Sequence, residues 1–102
     1  MIRFLAVAEE EFAEAIVYYN EQREGLGHEF AEEVKRGARR IDQFPTAWPR
    51  ISSRARRCNI NRFPYFILYD PRDDEVLILG VLHAARNPEN WRDRQGAAEN
   101  RQ

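Results

Sequence analysis

The densest group of chemically useful side chains in this sequence is a run of arginines. The segment from Arg50 to Arg62 contains five arginines and no acidic residue, and 15 of the 16 basic residues of the chain are arginine. The guanidinium group is planar and forked, so it suits carboxylates, phosphates and aromatic faces. The run therefore predicts a surface that binds an anionic or protein partner, or else a solvated face that forms salt bridges with the helices. The residues assigned to partner binding are Arg50, Arg54, Arg56, Arg57 and the neighbouring Trp48, although the simpler role of Trp48 is to pack its loop against the core.

His83 is the side chain best suited to proton transfer. It comes at the end of an apolar run and close to Arg86. A ribonuclease needs a titratable imidazole as general base and cations that hold the scissile phosphate. These requirements select a candidate catalytic set of His83, Arg57, Arg62 and Arg86. The alternative that stays open is that His83 is a polar residue at the end of a strand, without a catalytic role.

Several other chemistries lack the residues that they need. Two histidines and one cysteine offer no spacing for metal ligands, and Gly25-Leu26-Gly27 has neither the strand-to-helix setting nor the lysine of a phosphate-binding loop. Cys58 is predicted to be a small buried residue rather than a nucleophile. Glu9-Glu10-Glu11 predicts the solvated start of a helix rather than a catalytic pair. We therefore expect neither a metal nor a cofactor.

Length and composition predict one domain. The chain has 102 residues, of which 43% are apolar, and this is enough for one modest core. We place the domain at residues 1–91 and expect the polar residues 92–102 to form a frayed tail. No apolar run is long enough to span a membrane, and the acidic residues that begin at Glu9 come too early for a signal peptide. These features predict a cytoplasmic protein with no membrane partner.

Hydrophobic periodicity predicts an initial strand and two helices. The strand covers Ile2 to Val7, the first helix runs from Ala8 to Arg23, and the second follows Gly25-Leu26-Gly27 and ends at Phe44-Pro45. The short link makes the two helices an antiparallel hairpin. The apolar stripe of the second helix consists of Phe30, Val34, Ala38 and Ile41. Nine acids and one base lie between Glu9 and Glu33, and we expect these acidic faces to be solvated.

Three strands follow the helices. The first carries the arginines and has the pattern of a half-buried edge strand, whose inward residues are Ala55, Cys58 and Ile60. Pro64 to Tyr69 is a second strand, Asp70 to Asp74 a turn, and Glu75 to Leu82 an apolar run typical of a central strand covered on both faces. The order β-α-α-β-β-β predicts an α+β fold in which the helical hairpin packs on one face of a small, mostly antiparallel sheet.

Several short motifs occur in a fixed order between Ile2 and Trp91. They are Ala8-Glu9-Glu10-Glu11-Phe12, Gly25-Leu26-Gly27 before Phe30, Phe44-Pro45 with Ala47-Trp48-Pro49, Arg56-Arg57-Cys58, Arg62-Phe63-Pro64-Tyr65 and Val81-Leu82-His83-Ala84-Ala85-Arg86. In the order and spacing of these motifs, the chain resembles the ParE/RelE superfamily of type II toxin–antitoxin toxins. The resemblance implies a growth-inhibiting toxin. It also implies a cognate antitoxin, encoded beside the toxin, which wraps the toxin in a hetero-oligomer.

The superfamily contains two activities, and the resemblance favours one of them. RelE-like members cleave mRNA on the ribosome, whereas ParE-like members have no known catalysis and poison DNA gyrase by binding it. Phe66 stands in the strand where many ribonuclease members carry an arginine, and the change removes a stabiliser of the charge on the phosphorane. The resemblance thus implies a ParE-like gyrase inhibitor whose arginine strand docks an acidic antitoxin segment. A ribosome-dependent ribonuclease and a non-toxic antitoxin-binding module stay open as alternatives.

Overall fold

The computed structural model describes residues 1–86 and Arg94. These residues include a four-stranded sheet and two helices. The elements are β1 (Ile2–Phe4), α1 (Ala6–Gln22), α2 (Leu26–Gln43), β2 (Arg56–Asn59), β3 (Tyr65–Pro71) and β4 (Val76–His83). This order confirms the predicted β-α-α-β-β-β arrangement of an α+β domain. The predicted domain limit at residue 91 lies outside the described residues, and so does the predicted frayed tail of residues 92–102 apart from Arg94.

The sheet is mixed and mostly antiparallel. Its strand order is β1-β4-β3-β2. β2 pairs antiparallel with β3, and β3 antiparallel with β4, as in two successive hairpins. β1 pairs parallel with β4, which is possible because the rest of the chain separates the two strands in sequence. The predictions that β4 is central and that the arginine strand β2 lies at an edge are both confirmed.

Two predicted boundaries were wrong. The first strand ends at Phe4 rather than Val7, because the carbonyl of Leu5 already accepts the first helical hydrogen bond, from the Glu9 N–H, at 3.0 Å. The alanine- and glutamate-rich sequence that follows favours this early helix start. In the interior of the sheet, β3 continues through Asp70 to Pro71, so these two residues belong to the strand and not to the turn. A proline is tolerated there because β2 pairs with β3 only as far as Tyr69, so Pro71 lies on an unpaired edge on that side.

The main core lies between the helical hairpin and the sheet, and an aromatic cluster holds it together. The predicted stripe of α2 is confirmed, since Phe30, Val34, Ala38 and Ile41 are all buried. The Phe30 ring has its centroid 5.1 Å from that of Tyr19 on α1 and 4.9 Å from that of Tyr65 on β3. Aromatic contacts of this kind add to the stabilisation from area burial. Phe30 therefore links both helices to the sheet.

The opposite face of the sheet is also apolar and buried. It carries Phe66 and Leu68 of β3 and Leu77, Leu79 and Leu82 of β4. Successive side chains of a strand point to opposite faces, so β3 and β4 need apolar residues at almost every position to be buried on both sides. This confirms the prediction of a central strand covered on both faces.

The helices approach closely where α2 begins. Gly25 has a φ of 87°, a left-handed conformation that suits glycine, and it completes the predicted tight link. The Gly27 N–H donates to the Asn20 side chain at 2.8 Å. A Cβ at position 27 would lie 2.6 Å from the Asn20 Cγ and would also collide with the backbone of Ile16. Gly27 thus lets the first turn of α2 pack directly on α1.

Tyr69 ties the loop after α2 to the sheet and should give stability a dependence on alkaline pH. Its hydroxyl donates to the Pro45 carbonyl at 2.8 Å, and burial raises its pKa to about 12. Since the folded chain holds this proton more tightly than the unfolded chain, the stabilisation is complete below pH ~10 and is lost as the pH rises towards ~12. Tyr69→Phe should cost about 1 kcal/mol at pH 7.

Urea unfolding between pH 7 and pH 12 tests this expectation. Tyr69→Phe should lose less stability than the wild type over the alkaline range, by up to about 2 kcal/mol. Tyr18→Phe is the matched control, because Tyr18 is 53% exposed and should follow the wild-type curve. Parallel alkaline curves for wild type and Tyr69→Phe would contradict the assignment.

Candidate functional site

His83 lies at the end of β4, on the rim of a cleft between α1 and the sheet. The cleft has a volume of about 230 Å³, and Tyr18, Glu14 and Arg86 also line it. Strand pairing places Tyr65 opposite His83, and their rings meet edge-on with centroids 5.3 Å apart. Arg86 reaches the cleft because the chain turns after β4, where the Arg86 N–H donates to the His83 carbonyl at 2.9 Å. The structure therefore brings together two of the four candidate catalytic residues.

A backbone hydrogen bond selects the tautomer of His83. The Ala85 N–H donates to Nδ1 of His83 at 3.1 Å, so Nδ1 carries no proton and the neutral ring carries its proton on Nε2. A base at Nε2 would need the other tautomer, in which Nδ1 is protonated and the hydrogen bond from Ala85 is lost. This geometry disfavours His83 as a general base.

Arg57 and Arg62 do not line this cleft. The Arg57 guanidinium lies 3.9 Å from the centre of the Phe66 ring, on the sheet face opposite the helices. Arg62 Nη2 donates to Glu29 Oε1 at 2.7 Å. The four candidate residues are therefore distributed over three places. Phe66 itself is fully buried on the sheet face opposite the helices, so this strand position does not face the His83 cleft.

The acids of the second helix are paired within the chain. Glu29 binds both Arg62 and Arg23, and the hydrogen bond from Arg62 holds the pKa of the Glu29 carboxyl below its ordinary value. Glu33 is buried, and its carboxylate lies 3.0 Å from Arg36 Nη1. The prediction of fully solvated acidic faces was therefore wrong for Glu33. The alternative prediction, that the arginine run forms salt bridges with the helices, is confirmed for Arg62.

Arg50, Arg54 and Arg56 converge beside the edge strand. With Arg72 they line a pocket of about 310 Å³ around Asp70, which we call the arginine pocket. The convergence arises because the chain before β2 folds back on it, so that Arg50 and Arg56 form an isolated antiparallel bridge. Of the residues predicted to bind a partner, Arg50, Arg54 and Arg56 share this surface, whereas Arg57 faces the other side of the sheet.

Arg56 also shapes the loop that carries Trp48. Its Nη1 donates to the carbonyl oxygens of Thr46 and Trp48, at 3.1 Å and 2.7 Å. The Trp48 ring is half-buried and packs against the core beneath the helices. The simpler prediction for Trp48, a residue that anchors its loop, is confirmed. Its predicted role in partner binding stays a prediction.

Sequence reasoning missed the buried charge beside this surface. Asp70 is 2% exposed, and its carboxylate lies 3.3 Å from Arg72 Nε and 3.7 Å from Arg54 Nη2. The sequence predicts a turn for both Asp70 and Arg72. The apolar run of β3 that continues up to Asp70 was a signal that the strand extends further.

Glu11 is the second residue that sequence reasoning misplaced. It was predicted to be solvated, but its carboxylate accepts hydrogen bonds from the Val81 N–H and from the Arg94 guanidinium, each at 3.1 Å. Arg94 also donates to the Leu79 carbonyl at 3.1 Å. These bonds occupy the part of the β4 edge that β1 is too short to cover. Glu11 lies three residues after Ala8 and four residues before Ala15, which are both buried. This helical spacing indicates that Glu11 is on the inward face of α1.

The described residues contain no group of histidine, cysteine, aspartate and glutamate side chains that could hold a metal ion. Cys58 is fully buried, as predicted, and burial raises the pKa of its thiol. A thiol with a raised pKa is a poor nucleophile. None of the helices that the structure describes is long and apolar enough to cross a membrane.

Comparison with known proteins found matches in sequence and in fold. Residues 2–88 match the family described as the ParE toxin of the type II toxin–antitoxin system parDE. The fold is similar to a solved structure of the chromosomal ParDE system from P. aeruginosa, with a TM-score of 0.71 and 13% sequence identity over 80% of this chain and 92% of that chain. At this identity, the structural match supports the fold alone. No curated protein matches the chain.

Proposed function

Because the chain belongs to the ParE toxin family of type II toxin–antitoxin systems, we propose that it inhibits growth by binding DNA gyrase and that a cognate antitoxin neutralises it. The family match over residues 2–88 is the observation that carries this proposal. Since gyrase works on chromosomal DNA, the proposed place of action is the cytoplasm.

The arrangement of the candidate catalytic residues supports binding rather than cleavage. Cleavage of RNA needs a proton-transfer residue and a cation within reach of one scissile phosphate. Arg57 lies on the opposite sheet face and Arg62 is held by Glu29. The Nδ1 atom of His83 is occupied by a backbone hydrogen bond. The shared cleft of His83 and Arg86 is the one observation that favours the second candidate function, a RelE-like ribonuclease.

Expression of the chain alone and together with the antitoxin encoded beside it tests the proposal. The chain alone should stop growth, and co-expression should restore it. Purified protein should inhibit the introduction of supercoils into relaxed plasmid by gyrase, with no cuts in cellular mRNA. His83→Ala should inhibit gyrase as the wild type does, because the proposed mechanism uses no proton transfer.

Each alternative predicts a different result. Ribosome-dependent cuts in transcripts that vanish in His83→Ala would establish the ribonuclease. Unimpeded growth with the folded chain, together with tight antitoxin binding, would establish a non-toxic binding module. Normal supercoiling at excess protein would exclude gyrase as the target.

A further inference from the structure

We propose that the arginine pocket receives carboxylate side chains from an acidic segment of the antitoxin. Arg50, Arg54, Arg56 and Arg72 line this pocket around Asp70. The inference rests on the proposed function, because it needs a protein partner of that kind.

The first support is a pair of like charges on facing positions, for which the described part of the chain supplies no ion-pair partner. Arg50 and Arg56 stand directly opposite each other in an antiparallel bridge, where like charges destabilise the pairing. Neither side chain forms an ion pair with an acidic residue among residues 1–86. The partners of the Arg56 Nη1 are the carbonyls of Thr46 and Trp48, which carry no net charge. A bound carboxylate would relieve the repulsion.

The second support is that two of the guanidinium groups are already held in place. Arg56 is fixed by its two bonds to the loop carbonyls. Arg72 is fixed by Asp70, its side chain is only 11% exposed, and its buried Nη2 lacks a hydrogen-bond partner among the described residues. Side chains that are ordered before binding lose less conformational freedom in the complex. Arg56 and Arg72 therefore form a rigid base beside the exposed Arg50.

The charge balance identifies the class of partner. The pocket holds four arginines against Asp70 and Asp73, so it is locally positive. The whole chain has a net charge of −1, so an attraction for a nucleic-acid polyanion would have to come from this pocket alone and not from the charge of the whole protein. A guanidinium group and a carboxylate form two parallel hydrogen bonds at short range, and these bonds form without a long-range attraction between the partners. The surface therefore fits a short acidic peptide segment better than a phosphate backbone.

Charge reversal at Arg50 tests the inference. Arg50 is exposed and makes no side-chain hydrogen bond among the described residues, so Arg50→Glu should fold normally, as circular dichroism and thermal unfolding will show. The matched control is Arg39→Glu, an exposed arginine of α2 outside the pocket. Calorimetric titration with the antitoxin should show Kd raised about tenfold or more in Arg50→Glu and less than about twofold in Arg39→Glu. Raising the salt concentration should weaken wild-type binding more than that of Arg50→Glu.

The outcomes separate this inference from the proposed function. If the wild-type chain forms no complex with the antitoxin, both are wrong. If the complex forms and Arg50→Glu binds as tightly as Arg39→Glu, only the assignment of the pocket is wrong. A single-stranded oligonucleotide that binds the wild type but not Arg50→Glu, while antitoxin binding is unchanged in that variant, would assign the pocket to nucleic acid instead.

Discussion

Phe30→Ala should lower the free energy of unfolding by about 3–5 kcal/mol, the largest effect of any single truncation that we expect in this domain. Phe30 is fully buried, and its ring contacts aromatic rings of α1 and β3. The truncation removes the contact area and leaves a cavity where both helices meet the sheet. Since a domain of this size has only about 5–15 kcal/mol of stability in total, the variant should lose a large fraction of it.

Phe44→Ala is the matched control for this prediction. It deletes the same side chain at a position that is 62% exposed, directly after α2, and it should change stability by less than about 1 kcal/mol. Urea unfolding followed by circular dichroism measures both variants. Equal losses at positions 30 and 44 would mean that the aromatic cluster does not hold the hairpin on the sheet.

Glu11→Ala should cost about 3 kcal/mol, although glutamate is a residue type that usually tolerates replacement on a helix. The Glu11 side chain is 11% exposed and that of Arg94 is 17% exposed. Removal of the carboxylate leaves the guanidinium without its counter-ion and the Val81 N–H without its acceptor. Breaking a buried pair from one side is costly because the remaining charge stays desolvated.

The neighbouring Glu10→Ala variant controls for helix propensity and net charge. Glu10 is exposed on the same turn of α1 and has no ion pair among the described residues, so its replacement should be neutral within about 0.5 kcal/mol. Hydrogen exchange gives a local readout, because the Val81 amide should exchange faster in Glu11→Ala and at the wild-type rate in Glu10→Ala. An unchanged Val81 rate in Glu11→Ala would show that the carboxylate does not protect this strand edge.

The adjacency of two arginines in β2 indicates that their side chains lie on opposite faces of the sheet. Arg56 and Arg57 are adjacent in a strand, and adjacent side chains of a strand point to opposite faces. The structure places them accordingly, with Arg56 bound to the loop carbonyls and Arg57 over Phe66. The arginine run is therefore divided among three places, since Arg62 pairs with Glu29. Arg57, which the sequence analysis assigns to partner binding together with Arg50, Arg54 and Arg56, does not share their surface.

Local patterns determined the elements of this protein, and tertiary contacts determined the surroundings of its charges. The stripe of α2 and the apolar run of β4 were predictable because helix and strand periodicity depend on neighbours in sequence. The hydrogen bonds of Glu11, the burial of Asp70 and the parallel pairing of β1 depend on residues far away in the chain. The same holds for the arginine pocket, which forms only because the loop before β2 folds back on the sheet edge. A charged side chain takes its environment from these distant partners, so its role could be read only from the folded chain.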